Sequence, residues 1–315
     1  MNQNVVGKMI QNMEKVIVGK KEVMELAVIT LLAGGHLLLE DVPGVGKTTL
    51  AKTLAKTVGC GFSRIQFTPD TLPSDVTGVS MYRAQTESFE YVKGSVMNQV
   101  ILADEINRAS PKTQASLLEA MEERQVTVDG NTYPLPNPFM VIATQNPIDY
   151  LGTYHLPEAQ LDRFFMKVSM GYPAFDYEKE MVAHFLEDLE WKQVEAVADE
   201  ATIIAMQQEV CMVKVHEDIV TYVLKLVEAT RNNEFLSLGA SPRATLALLQ
   251  AARAAAYCEN RNYVIPDDVL KVMKPVLWHR LILSTEAGMS HMSVDKVMAQ
   301  IKAKTPVPVL KSSSK

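Results

Sequence analysis

Residues 41–48 read Asp-Val-Pro-Gly-Val-Gly-Lys-Thr, set between the apolar run Leu37, Leu38, Leu39 and a helix-forming stretch that begins Thr49, Leu50, Ala51. A turn of this kind, joining a strand to a helix, is a phosphate-binding loop. Gly44 and Gly46 permit positive φ, which turns successive N–H groups inward and builds an anion site at the positive end of the following helix. Lys47 would reach the β- and γ-phosphates of a nucleotide, and Thr48 would offer its hydroxyl to Mg²⁺. The pattern G-x-x-x-x-G-K-[ST] takes glycine at its first position, where this chain has Asp41. That position lies farther from the phosphates than Gly44 and Gly46, so its carboxylate is expected to be tolerated at a small electrostatic cost.

The chain around the loop is long enough, at 315 residues, for two domains and a sizeable core. With 47% hydrophobic and 22% charged residues it has the make-up of a soluble globular protein. A net charge of −6, without a dense Lys/Arg block, disfavours strong nonspecific nucleic-acid binding. Cys60, Cys211 and Cys258 lack C-x-x-C spacing and the six histidines are scattered, so neither a zinc site nor a disulfide framework is expected. A reduced cytosolic setting fits that usage. The apolar stretch 26–39 is broken by Gly34, Gly35 and His36 and is too short to span a bilayer. Residues 1–7 lack a basic segment followed by an apolar core, so no signal peptide is expected.

Apolar residues at helical spacing predict a helix over 21–32, closed by Gly34-Gly35, and Leu50, Leu54 and Val58 mark the buried face of the helix after the loop. Strand-like runs recur at 62–67, 100–103, 139–144 and 164–168 with helical segments between them. This alternation predicts an α/β core over residues 1–172, a parallel sheet with helices on both faces. Two segments interrupt it. Residues 79–94 read as an inserted hairpin or loop, and 125–135 as a hairpin turning at Asp129-Gly130. From Pro173 to about residue 300 the chain reads as an all-α second domain, with helix starts at Pro242 and Pro266, and 301–315 reads as a flexible tail.

Chemistry-bearing residues stand at the ends of the strand runs. Val100, Ile101, Leu102 and Ala103 run into Asp104 and Glu105, at the carboxyl edge where such sheets bind ligands. Asp104 would hold the Mg²⁺ that Thr48 touches, and Glu105 would orient and partly deprotonate an attacking water. The run 141–144 leads to Gln145, Asn146 and Pro147, placing Asn146 to bond both water and γ-phosphate; an Asn-Pro turn is its plainer use. Arg163, just before the last strand run, could project into a neighbouring subunit's nucleotide, its competing use being an ion pair with Asp162 or Glu158. Ser241 and Pro242 would cap and open a helix with Arg243 in its first turn. A cation there opposes the helix dipole, a penalty that pairing with a phosphate would relieve.

Taken in order, the loop, Asp104-Glu105, Asn146, Arg163 and Arg243 followed by a helical lid resemble the AAA+ ATPases. The strings 67–70, 104–109, 143–147, 156–164 and 241–243 narrow the resemblance to the MoxR subfamily, over roughly residues 10–285. It implies Walker A at 41–48, with Pro43, Gly44, Val45, Gly46, Lys47, Thr48 and Thr49 on the nucleotide, and Walker B at Asp104 and Glu105. It further implies sensor 1 at Asn146, an arginine finger at Arg163, sensor 2 at Arg243, and Val18 and Gly19 beside the adenine. ATP and Mg²⁺ are the implied cofactors. The implied assembly is a homo-oligomeric, usually hexameric ring, acting as a chaperone-like remodeler in metal insertion or complex maturation. A partner with a von Willebrand factor A domain is implied too. The two insertions are similar to the helix-2 insert and pre-sensor-1 hairpin of a clade shared with magnesium chelatase and replicative helicases. Two other functions stay open, a DNA-translocating motor and an interaction switch with little turnover. Against the first, residues 129–131 at a hairpin tip are not basic; against the second, a pure switch needs neither Glu105 nor Arg163.

Overall fold

The computed structural model describes residues 2–146, 153–186 and 194–308. Helices α1 (Gln3–Glu14) and α2 (Lys21–Leu32) precede strand β1 (Leu37–Glu40), and the phosphate-loop segment leads into α3 (Lys47–Thr57). Then follow β2 (Phe62–Gln66), the short α4 (Pro73–Thr77) and a hairpin of β3 (Gly78–Arg83) and β4 (Ser88–Lys93). Strand β5 (Val100–Asp104) and α5 (Pro111–Glu123) lead to a second hairpin, β6 (Gln125–Val128) and β7 (Asn131–Pro134). Strand β8 (Met140–Gln145), α6 (Glu158–Leu161) and β9 (Met166–Val168) complete this half. The second half comprises α7 (Phe175–Leu186), α8 (Glu200–Cys211), α9 (Glu217–Arg231), β10 (Leu236–Leu238), α10 (Pro242–Cys258), α11 (Pro266–Leu277), β11 (Ile282–Leu283), α12 (Thr285–Met289) and α13 (Val294–Lys304).

Five strands form one sheet in the order β2-β5-β8-β1-β9, every neighbouring pair parallel. Alternation along each strand divides its side chains between two cores. Leu37, Leu39, Val100, Leu102, Met140 and Ile142 pack with α2 and α3, while Leu38, Ile101, Ala103, Val141 and Ala143 pack with Leu117, Leu118 and Met121 of α5. Both faces are covered, which is why these strands read as unbroken apolar runs. At about 1.5–3 kcal/mol per buried aliphatic side chain, this double burial is what sets the register. The doubly covered parallel sheet is the core the sequence predicts.

Both inserted segments are antiparallel hairpins, and Asp129 (φ +50°) and Gly130 (φ +80°) make the turn of the second. The last sheet strand is shorter than the run 164–168, because Phe164 belongs to a turn and packs into the α5-side core. Helices dominate the lid, which also carries a two-stranded β10–β11 ribbon. Helix α13 extends to Lys304 with Ile301 buried, so the stretch expected as a tail is helical over its first four residues, 301–304. Pro147 and residues 309–315 lie outside the described residues.

Candidate active site

Parallel strands bring their carboxyl ends to one edge, and the residues read as chemical from the sequence gather there. At β1's end, Gly44 (φ +85°) and Gly46 (φ +93°) turn the chain into α3. A Cβ on Gly44 would meet nothing within 4 Å, so conformation alone demands glycine at that position. Lys47 Nζ donates to the Asp41 carbonyl at 2.7 Å. Burial draws the Lys47 ammonium below its usual range, opposed by the carboxylates of Asp41, Asp104 and Glu105. Asp104 ends β5, a strand of the same parallel sheet as β1, and Glu105 follows it directly.

Beside the loop lies a cavity of about 480 Å³, in the size range of small-molecule pockets. Pro43, Gly44, Val45, Gly46 and Thr49 form one side, Val18 and its neighbour Ile17 a second, and Met170, Tyr172 and Pro173 with Met181 and Val182 of α7 a third. Gly19 (φ +71°) stands next to it under the Tyr177 ring. The predicted residues Lys47, Thr48 and Asp104 are not on the cavity wall itself. Lys47 and Thr48 lie in the chain between its lining residues Gly46 and Thr49.

Asp104 is buried, its Oδ1 accepting from the Thr144 hydroxyl at 2.6 Å and its Oδ2 from Arg64 Nη2 at 2.7 Å. Glu105 follows with φ +57°, a left-handed conformation that a non-glycine residue holds only under constraint from its surroundings. The constraint is visible. Its N–H donates to Thr144 Oγ1 at 2.8 Å, and its Oε2 accepts from Arg108 Nη1 at 2.9 Å and Gln66 Nε2 at 3.2 Å. Asn146 directly follows β8, whose Gln145 carbonyl accepts the Asp41 N–H at 3.1 Å, so it adjoins the base of the loop.

Arg163 and Arg243 are elsewhere. Both bond Glu122 in the last turn of α5, Arg163 Nε to Oε2 at 3.0 Å and Arg243 Nη2 to Oε1 at 2.5 Å. Next to them, Asp162 accepts from Ser241 Oγ (3.0 Å), the N-cap of α10, and from Arg280 Nε (2.6 Å). This cluster belongs to the amino edge of the sheet, since Phe165 N–H bonds the carbonyl of His36 just before β1. The four residues of β1, about 13 Å at 3.3 Å per residue, separate it from the loop. Neither arginine faces its own chain's phosphate loop, and Arg163 uses neither Asp162 nor Glu158 as its partner.

Sequence reading missed the side chains that hold the carboxylates and arginines: Arg64, Gln66, Thr144, Arg108 and Glu122. Residues 64 and 66 carry a faint signal. They are polar and two apart in the edge strand β2, so they share one side of the edge beside Asp104, to which Gln66 is registered.

The ATPase family associated with various cellular activities (AAA) matches residues 36–166, and the AAA lid domain matches 228–301. The chain is similar to the uncharacterized protein YeaC of Bacillus subtilis, with 48% identity covering 98% of this chain and 97% of that one. It is 42% identical to the chaperone MoxR1 of Mycobacterium tuberculosis, over 94% of this chain and 80% of that protein. A crystal structure of a Cytophaga hutchinsonii protein superposes with a TM-score of 0.90 and 39% identity, covering 98% of this chain and 96% of the other.

Proposed function

Since this chain belongs to the MoxR subfamily of AAA+ ATPases, we propose that it hydrolyses ATP with Mg²⁺ in a ring of six copies and uses the cycle to remodel protein partners. The observation that carries this reading is the placement of Gly44, Gly46 and Lys47 with Asp104 and Glu105 at one sheet edge, beside a mostly apolar cavity that Lys15, Lys20 and Glu178 also line. In the reading, loop N–H groups and Lys47 bind the phosphates, and the apolar walls take the base with Val18 and Gly19 alongside. Glu105 orients the attacking water and accepts its proton, and Asn146 bonds water and γ-phosphate. Arg163 and Arg243 reach from the amino edge of one subunit to the nucleotide of the next. Their separation from their own loop supports action between subunits.

A magnesium ion suits the donors available, one threonine hydroxyl and one carboxylate, because this ion retains waters and takes phosphate oxygens for its remaining positions. The Arg64 guanidinium on Asp104 Oδ2 shows that the position accepts positive charge. Thr48 and Asp104 would hold the ion, which would neutralise charge on the phosphates.

Metal insertion or complex maturation with a partner bearing a von Willebrand factor A domain is the role we assign, in the cytoplasm. The three free cysteines support a reduced setting. Among the described residues no helix is long and apolar enough to cross a membrane. The hairpin turns, 84–87 and 129–131, carry no basic residue, which favours a protein partner over a nucleic-acid strand.

Glu105→Gln tests the chemistry. Phosphate release should fall at least about 100-fold while ATP affinity is retained, the scale expected for loss of a general base. Turnover at the wild-type rate would overturn the assignment. The same variant, held in ATP, should retain its protein partner on an affinity resin.

A further inference from the structure

Asp41, where a loop of this type takes glycine, is not on the cavity wall; its carboxylate bonds the segment 169–171. The residue is 7% exposed. Its Oδ2 accepts from Ser169 Oγ at 3.0 Å, from the Gly171 N–H at 2.9 Å and from the Met170 N–H. Its backbone is equally engaged: the N–H donates to the Gln145 carbonyl at 3.1 Å, and the carbonyl accepts from Lys47 Nζ at 2.7 Å. A buried carboxylate is costly unless its lone pairs are met, and charge-assisted bonds of this kind are the strong ones.

The segment bound by Asp41 is also held by Lys20, itself a lining residue of the cavity. Its Nζ donates to the carbonyls of Met170 and, at 2.9 Å, Tyr172. Met170 and Tyr172 belong to the cavity wall, and the chain continues directly into α7, which supplies Met181 and Val182 to the same wall. All α7 side chains with a described exposure are exposed, so packing against the body contributes little to placing this helix. The Tyr177 ring packs over Gly19 so closely that a Cβ there would clash with it. Hydrogen bonds to the segment before the helix contribute to where it lies.

We propose that Asp41 is a positioning residue for the nucleobase side of the pocket: with Lys20 it fastens segment 169–172 to the first residue of the phosphate loop. Phosphate cradle and base wall then move as one piece. The proposal rests on the reading of this cavity as a nucleotide site. It also reverses the sign expected for an acid at the first loop position, since repulsion of phosphates alone would make its removal favourable.

Equilibrium binding of ADP, ATP and pyrophosphate to full-length Asp41→Asn, Asp41→Gly and Lys20→Met provides the test. Each variant should bind ADP and ATP about tenfold more weakly, by one common factor, as loss of a charged hydrogen bond predicts. Pyrophosphate, which touches the loop alone, should bind as it does to the wild type. Asp41→Gly should be the weaker binder although it restores the consensus glycine. Unchanged or tighter ADP binding would overturn the proposal, and so would a loss shared by pyrophosphate, which would indicate a distorted loop. Thermal unfolding of Asp41→Asn within a few degrees of wild type identifies a variant that is folded. If it falls outside that range, Asp41→Gly decides by the same ADP-against-pyrophosphate comparison, since Lys20 itself lines the cavity. A wild-type chain that binds no nucleotide would sink the reading of the site itself, a result distinct from wild-type binding with indifferent variants.

Discussion

Two histidines are folded into places where an added proton finds no acceptor. His36 accepts the Val141 N–H at Nδ1 (3.0 Å) and bonds the Met121 carbonyl through Nε2 (3.2 Å), and burial, reinforced by Arg124, lowers its pKa to about 3. His279 bonds the Phe164 carbonyl at 2.9 Å, and burial beside Arg280 holds it well below the usual range. In the unfolded chain both titrate near 6.5, so as pH falls below that value the unfolded state takes up protons that the native state refuses. Each histidine then removes about 1.4 kcal/mol per pH unit. Stability should be level above pH 7 and fall by roughly 3–4 kcal/mol between pH 6.5 and 5, read from urea unfolding at several pH values. His279→Asn should remove about half of that slope, and an unaltered slope would refute its part. Residues of this kind were illegible beforehand. A histidine's protonation follows from burial and from partners about a hundred positions away, whereas Lys47, Asp104 and Glu105 announce themselves through the apolar runs beside them.

Among the elements, one buried guanidinium stands in the joint between lid and core, beside the shared hydrophobic core. Arg280, in the turn after α11, is 6% exposed and bonds Asp162 Oδ1 at 2.6 Å together with the backbone carbonyls of Asp162, Val276, Phe164 and Phe165. Asp162→Ala would leave that charge without its counter-ion and free Ser241 at the head of α10. A loss of about 3–5 kcal/mol is expected in chemical denaturation, the range for breaking a buried pair on one side. Replacing both, Asp162→Leu with Arg280→Met, should recover part of it, because paired removal leaves no orphaned charge although the four carbonyls lose their donor. The helix and hairpin signals at this scale were readable, since Asp129-Gly130 and Ser241-Pro242 are local chemistry. The β10–β11 ribbon was not: β10 has three residues and β11 two, too few to show a period.

At the scale of the whole molecule, the amino-edge position of Arg163 and Arg243 bears on assembly. If both serve a neighbour's nucleotide, two defective chains should repair each other. Lys47→Ala keeps a working arginine edge and Arg163→Ala keeps a working loop, so each alone should show little hydrolysis. Mixed one to one, about a quarter of the interfaces in a closed ring pair an intact loop with an intact arginine, and close to that share of wild-type phosphate release should return. No recovery on mixing would place the finger's action within one chain. From the sequence alone came the α/β core, the loop, the order of the strand-end residues and the helical lid, because each is written in neighbouring residues as periodicity, glycine placement or apolar runs. Only the tertiary structure decided what holds Asp104 and Glu105, that Asp41 grips segment 169–171, and that Arg163 and Arg243 share Glu122 at the far edge of the sheet. Apart from the Arg108–Glu105 pair three residues apart, those contacts join residues about 40 to 130 positions apart in the chain, and their geometry comes into being only when the strands take the order β2-β5-β8-β1-β9.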